Sequence, residues 1–546
     1  MKRLSAIFLI IIGALLSASA VPAYHKWQQL KQPDGSYITA RHLGDECYSY
    51  WENSEHQVIK KDSLGWWRVE GAAPSVQQVA ARRNASPLKS KPRRLGNEIN
   101  LAPRGLVILV NFKGLKFKTY NKRVDFDSLL NAANYTKYGS RGSVRKYFAD
   151  QSDSAYIPQF DVVGPVTIKN DYSYYGTDGT VYGQSVNDKL IGDFVIEAVR
   201  GADKLGVNWS LYDNDGDDEV DFVYLIYAGT NQAISDDDNT IWPMNFSMKS
   251  VVQYGMTSYS EYTYDYDWRT GKETYVLPTF GGKAINNFAC SSEVGTENIR
   301  TGIGTICHEF SHVLGLPDYY DTSYGTNYQS GLTPGDWSLM DAGSHTDEGR
   351  TPPNYSIFDK YFMGWATPKI LNSADDIEMT TAYGDGYQIN SKGKLAAARS
   401  TEQQYYIENR QQTGWDEYLP WHGMIVWSVR YNSDDWSDNN LNNTANAPRC
   451  TVNSADMAEG GIGTNQDPYP GESSVTAYTP IVQYPMTEIT ENVDNGIVTF
   501  KFMGGKIVEA LDETDYDHVS THKVLRNGQV IIIRGGKEYN ILGSRQ

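Results

Sequence analysis

Hydrophobic and polar positions change rhythm along the chain, and each change marks an element or a boundary. Lys2 and Arg3 precede an apolar run over residues 4–16, closed by Ala18-Ser19-Ala20. A basic start, a short apolar stretch and small residues at the cut are the layout of a cleavable secretory signal, residues 1–20. The run falls short of the roughly 18 apolar residues that a bilayer span requires. Over residues 21–72, short Tyr-, Val- and Ile-containing runs alternate with turn signals such as Pro33-Asp34-Gly35 and Gly44-Asp45, which predicts a small β-rich unit. Residues 73–104 are polar and basic, with Arg82-Arg83, Lys89, Lys91 and Arg93-Arg94. They hold too few apolar side chains to order themselves and predict a linker open to processing, so the β-rich unit before it reads as a prosegment.

A sharper pattern opens at Gly105. The apolar run Gly-Leu-Val-Ile-Leu-Val-Asn-Phe over 105–112 predicts a buried strand, helical spacing follows at 126–133 and 143–149, and a second buried strand is expected at 222–227. Strands and helices mix without a strict βαβ repeat, so 105–366 reads as an α+β domain. From 367 to 505 the rhythm shifts to runs such as Tyr405-Tyr406-Ile407, Met424-Ile425-Val426-Trp427 and Val498-Thr499-Phe500 between Gly- and Asn-rich turns, which predicts a β-sandwich-like domain. Residues 506–546 end in two strand runs around Gly535-Gly536.

Composition narrows the classes. At 546 residues with 40% hydrophobic positions, the chain is long enough for several domains, each with its own core. Its 49 Lys+Arg against 66 Asp+Glu give a net charge of -17, and no long basic stripe interrupts the acidic balance. That balance argues against nucleic acid or an anionic membrane surface as the main partner. Four cysteines, Cys47, Cys290, Cys307 and Cys450, are too few for a disulfide framework. Three pairings are open, Cys290 with Cys450 among them. Cys47 lies in the N-terminal unit with no motif around it that marks a thiolate switch, and it reads as buried or paired.

One segment carries the chemistry: Gly304-Thr-Ile-Cys-His308-Glu309-Phe-Ser-His312-Val-Leu-Gly315-Leu-Pro-Asp318. Ile299, Ile303, Ile306, Phe310 and Val313 recur at helical spacing on one narrow face. At 100° per residue from Ile306, His308 falls at about 200° and His312 at about 240°, so both imidazoles leave the helix together, opposite that stripe. Two histidines at i, i+4 suit one Zn²⁺, and Glu309 beside the first is placed to act on a metal-bound water, as general base, rather than on the metal. Gly315 permits the turn back after the helix, and Asp318, six residues after His312, supplies a third ligand, leaving a fourth position for water. Glu348 is an alternative third ligand from further downstream.

The run HEFSHVLGLPDYYD, with DWSLMDAG following at 336–343, resembles the immune inhibitor A-like secreted metallopeptidases, a branch related to the metzincins. The resemblance extends over about residues 100–500 through GLVILVNF, GSVRKYFADQS, DNDGDDEVDFV and ENRQQTGWDEYLPWHGMIVW. It implies a zincin/metzincin-like catalytic domain with His308, His312 and Asp318 on zinc, Glu309 as base, and Met340 in the turn beneath the metal. Metzincins commonly carry a Tyr two residues after that Met, and here Ala342 stands there; Tyr319, Tyr320 and Tyr355 are the candidates for binding the oxyanion. Residues 520–546 resemble the C-terminal tails of secreted bacterial proteins, a sorting segment or extra strands.

A second cluster, Asp213, Asp215, Asp217 and Asp221, places carboxylates at loop positions 1, 3, 5 and 9. That set suits Ca²⁺, although position 6 is Asp218 and position 12 is Tyr224, so it is no standard EF-hand. Taken together, the sequence predicts a secreted zinc endopeptidase made as a zymogen, acting on protein or peptide substrates. The alternative is an inactive, metal-retaining adhesion or carbohydrate-binding protein, against which the intact Glu309 argues. Oligomeric state stays open.

Overall fold

A computed structural model describes residues 21–46, 48–75, 103–181, 184–235, 237–295, 298–323, 330–389, 403–456, 462–506, 521–526, 529–534 and 536–540, with single residues 78, 327 and 545. The signal segment 1–20, most of the 73–104 linker and Cys47 lie outside the described residues. The chain is a mixed α/β protein with many small sheets and few helices.

The N-terminal unit is an antiparallel meander of five strands, Gln28–Lys31, Tyr37–Asp45, Tyr48–Asn53, Gln57–Lys61 and Trp67–Ala72, in sequential order. Its own core is small, built on Leu30, Ala40, Trp51, Ile59 and Trp67. Five strands around so few apolar side chains make a unit that gains much of its stability from what it docks on.

The central sheet runs in the order Met244–Ser247, Asn287–Ser292, Val223–Tyr227, Arg104–Asn111, Gln159–Thr167, with only Met244–Ser247 antiparallel to its neighbour. Parallel strands are covered on both faces, and the apolar run at 105–112 shows why it is unbroken. Its pleat sends Val107 and Leu109 into one core and Leu106, Ile108 and Val110 into the other. The first core receives the helices Arg123–Asn131, Val144–Gln151 and Gly304–Val313; the second receives the helix Ile191–Lys204 through Phe194, Val195 and Val199.

Downstream, a five-stranded sheet (Lys369–Leu371, Gly386–Ile389, Gln404–Arg410, Gly423–Val429, Cys450–Val452) and a three-stranded one (Asp375–Met379, Ile497–Phe502, Met486–Asn492) share a core of Ile377, Ile407, Val426, Met486 and Phe500 among others. The other face of the larger sheet joins the first core directly, since Tyr406, Ile425, Trp427, Trp436 and Cys450 pack in the same cluster as Phe310 and Met340. The final segment forms three antiparallel strands, Thr521–Arg526, Gln529–Arg534 and Lys537–Tyr539, where two runs were expected. Among the described residues no helix is long and apolar enough to cross a membrane.

Two expectations need correction. Cys290, Cys307 and Cys450 are all free and buried, and Cys290 belongs to the second core while Cys450 belongs to the first, so that pair is not joined. Ile299 is outside the helix: it closes a turn by accepting from Gly295 N–H, and the helix begins at Gly304. The first helical residue is closely packed, since a Cβ at Gly304 would stand 2.0 Å from the Ser344 carbonyl oxygen.

Candidate metal centre

The helix Gly304–Val313 is buried around nearly its whole circumference, from Ile306 to His312. The face bearing the histidines, which the helical wheel left open, is covered by the 338–345 segment and by the N-terminal unit. His308 donates through Nδ1 to the Leu339 carbonyl at 2.8 Å, and His312 through Nδ1 to the Leu316 carbonyl at 2.7 Å. Gly315 makes the second bond available: its φ of 104° turns the chain back so that Leu316 faces the helix end. With Nδ1 protonated on both rings, each Nε2 carries a lone pair.

Those lone pairs meet at one point. The two Nε2 atoms lie 3.1 Å apart, and Asp318 Oδ1 lies 3.1 Å from His308 Nε2 and 3.5 Å from His312 Nε2. Ligands at 2.0–2.1 Å around a tetrahedral zinc ion stand about 3.3 Å from one another, so the donor set fits that ion. Asp318 Oδ1 is buried with no hydrogen-bond donor of its own, and two imidazole lone pairs beside a carboxylate repel unless a cation lies between them. Burial lowers the His312 pKa to about 4. Burial pushes the Asp318 carboxyl up, but His312, His308 and Asn439 beside it outweigh that and hold it below the usual carboxylate value.

Glu309, also fully buried, is raised well above the ordinary value, first by burial and then by the charge of Asp318. Its Oε1 accepts a 3.0 Å hydrogen bond from the backbone N–H of Val21, while Oε2 has no donor. Residues 21–24 therefore thread into the site. Trp242 Nε1 donates to the Val21 carbonyl at 3.3 Å, His345 Nε2 to the Pro22 carbonyl at 2.9 Å, and Tyr24 N–H to the Ala233 carbonyl at 3.0 Å.

Met340 is fully buried, and its carbonyl accepts from Tyr319 N–H at 2.7 Å, next to the Leu339 carbonyl that orients His308. The turn thus ties His308 to the stretch that delivers Asp318. Of the oxyanion candidates, Tyr319 gives its hydroxyl to Asp359 at 2.6 Å and Tyr355 bonds Ser311, both within the core; Tyr320 is buried as well. Glu348 is not among the converging ligands, and its Oε1 accepts from the Tyr24 hydroxyl at 3.0 Å.

A residue that the sequence did not single out completes the centre. Asn439 accepts from Asp318 N–H at 2.7 Å and donates to Asp318 Oδ2 at 2.6 Å, clamping main chain and side chain together. From the same segment, Trp436 Nε1 holds the Gly315 carbonyl at 3.0 Å.

The second cluster differs in kind. Asp213, Asp215 and Asp217 come together at the surface, but Lys283 Nζ already sits 2.7 Å from Asp213 Oδ2 and 2.7 Å from Asp218 Oδ1. Asp213 Oδ1 accepts from Gly216 and Asp217 N–H, and Asp221 turns its Oδ2 to the Asn214 main chain and side chain at 2.6 and 2.7 Å.

Residues 113–366 match the profile of the immune inhibitor A peptidase M6 catalytic domain, a stretch that includes the helix, the three converging side chains and Met340. The chain carries a metallopeptidase domain of the immune inhibitor A type. It is 25% identical over 298 residues to immune inhibitor A of Bacillus thuringiensis subsp. alesti, an overlap covering 47% of this chain and 39% of that protein. It is 28% identical over 258 residues to the pre-pro-metalloprotease PrtV of Vibrio cholerae serotype O1, covering 43% and 25%. The chain spans well under half the length of the curated relatives it matches.

Proposed function

We propose that this chain is a secreted, zinc-dependent endopeptidase made as a precursor. One observation carries the reading: two imidazole lone pairs and a carboxylate oxygen lie 3.1–3.5 Å apart, with the carboxyl of Glu309 on the same helix. A zinc ion held by His308, His312 and Asp318 would supply Lewis acidity, polarising a peptide carbonyl and lowering the pKa of a water toward 7. His308 and His312 keep their lone pairs free because their other nitrogens are committed to carbonyls, and Asn439 keeps Asp318 aimed. Glu309, as the carboxylate, takes the proton of the attacking water and returns it to the nitrogen of the broken bond.

The precursor reading is supported by residues 21–24, which fill the approach to Glu309 in advance of any substrate. The signal-like residues 1–20 support secretion, and the basic stretch 73–104 supports removal of the N-terminal unit by cleavage. Calcium at Asp213, Asp215 and Asp217 is a subsidiary part of the proposal, in which the ion would have to displace Lys283 from Asp213.

The test is digestion of casein by the purified chain, blocked by a chelator and restored by zinc. Activity that survives full removal of metal would overturn the reading. Sequencing of the active secreted form should find a start between residues 83 and 105; full activity in a chain beginning at Val21 would contradict the precursor.

A further inference from the structure

The direction of the segment in the cleft carries information about substrates. Val21 N–H points at Glu309 Oε1, and from there the chain runs away through Pro22, Ala23 and Tyr24. In the hydrolysis proposed above, Glu309 hands its proton to the nitrogen of the bond being cut, and that nitrogen belongs to the first residue of the leaving half. Val21 N stands in that relation to Glu309, so residues 21–24 lie along the path of a leaving half, with the same polarity.

The contacts along this path read backbone, not side chains. Trp242 Nε1 meets the first carbonyl and His345 Nε2 the second, from two separate segments of the catalytic domain. Both side chains are buried beneath residues 21–24, and removal of that segment frees each donor for the carbonyl of another peptide. The second residue here is proline, which has no N–H and needs no acceptor. At the fourth, the Tyr24 hydroxyl reaches Glu348 Oε1 and its ring meets His345 edge to face at 5.6 Å between centroids.

We propose that Trp242 and His345 are the backbone clamp for the leaving half of a polypeptide substrate, binding the carbonyls of the first and second residues after the cut bond, with Glu348 selecting a tyrosine at the fourth. This rests on the peptidase reading. Both residues are positioning groups, since neither reaches the bond being broken.

The test uses the full secreted chain, processed to its active form, and two internally quenched peptides. They share one sequence before the cut and carry either Val-Pro-Ala-Tyr or Val-amide after it. His345→Ala should raise KM on the long peptide about tenfold more than on the short one, which has no second carbonyl, with kcat changed far less. His345→Gln, which keeps an N–H donor, should recover most of the loss, and Trp242→Phe should raise KM on both. Equal losses on the two peptides, or an unchanged KM on the long one, overturn the clamp. A second measurement needs no turnover: labelled Val-Pro-Ala-Tyr binding to the Glu309→Ala chain should weaken about fivefold to tenfold with His345→Ala. His345-dependent binding without cleavage by the unaltered chain would sink the peptidase reading and leave the clamp standing; cleavage without His345 dependence would do the reverse.

Discussion

Two places among the described residues gather three ligand atoms within 4.8 Å of one another, and their contrast is instructive. At His308, His312 and Asp318 all three side chains are buried, their remaining polar atoms are committed to carbonyls and to Asn439, and Asp318 Oδ1, which faces the two Nε2 atoms, has no donor. At Asp213, Asp215 and Asp217 the carboxylates are largely at the surface, with Lys283 and backbone N–H groups already on Asp213. The first arrangement is costly unless a cation arrives; the second is already satisfied. Ligand type and spacing alone do not separate them. What separates them is whether the protein has left lone pairs facing one another where water cannot compensate.

The strongest way to break this contrast is at Glu309. Glu309→Ala should reduce turnover about 10³-fold or more on a peptide library while metal analysis still finds zinc, because the side chain is assigned to the proton. Loss of zinc together with activity would place Glu309 among the ligands instead.

Acid offers a second probe. Burial lowers the pKa of both His42, which stacks on Trp51 and meets Trp242 at the domain contact, and His345, which holds Pro22, from 6.5 to about 4. Each is therefore neutral when folded and takes a proton more readily when released. The stability they contribute is full above about pH 6.5 and falls as pH drops toward 4, by up to about 3 kcal/mol for each. Protease sensitivity of residues 21–72 should rise over that window; a flat response would show that these rings are hydrated in solution.

Asn439→Ala comes next. It leaves all three ligands in place but frees the Asp318 carboxylate, and zinc affinity in a chelator competition should fall about 10–100-fold. An unchanged affinity would mean that the helix turn at Gly315 alone fixes Asp318. The smallest effect belongs to the exposed loop: Asp217→Asn should move stability by less than about 0.5 kcal/mol in calcium-free buffer. A large loss there would show that the loop is as strained without an ion as the buried centre.

Much of this centre was legible in the sequence. The His308–Glu309–His312 spacing fixed a common direction for two imidazoles, and the unbroken run at 105–112 announced a strand with no wet face. Ile299 was misleading because an isoleucine at helical spacing keeps that spacing whether or not the helix has begun; here it closes a turn with Gly295 ahead of the helix. Asn439 was invisible for a different reason. It sits in Asp438-Asn439-Asn440-Leu441-Asn442-Asn443, where asparagine is the ordinary turn residue, and only the folded chain brings it to Asp318. The path of Val21 was hidden likewise, since a short β-rich segment does not reveal which surface it covers.

The Asn439 contact bears on where this molecule can be cut by an experimenter. The family match ends at residue 366, which invites expression of a catalytic fragment with that terminus. Such a fragment would keep every ligand yet lack the amide that aims one of them, along with the indole on the Gly315 carbonyl, and it would bare the wall that Trp427, Trp436 and Cys450 close. The smallest transplantable unit thus reaches at least Val452, so the catalytic-domain match and mechanical independence end at different places in this polypeptide.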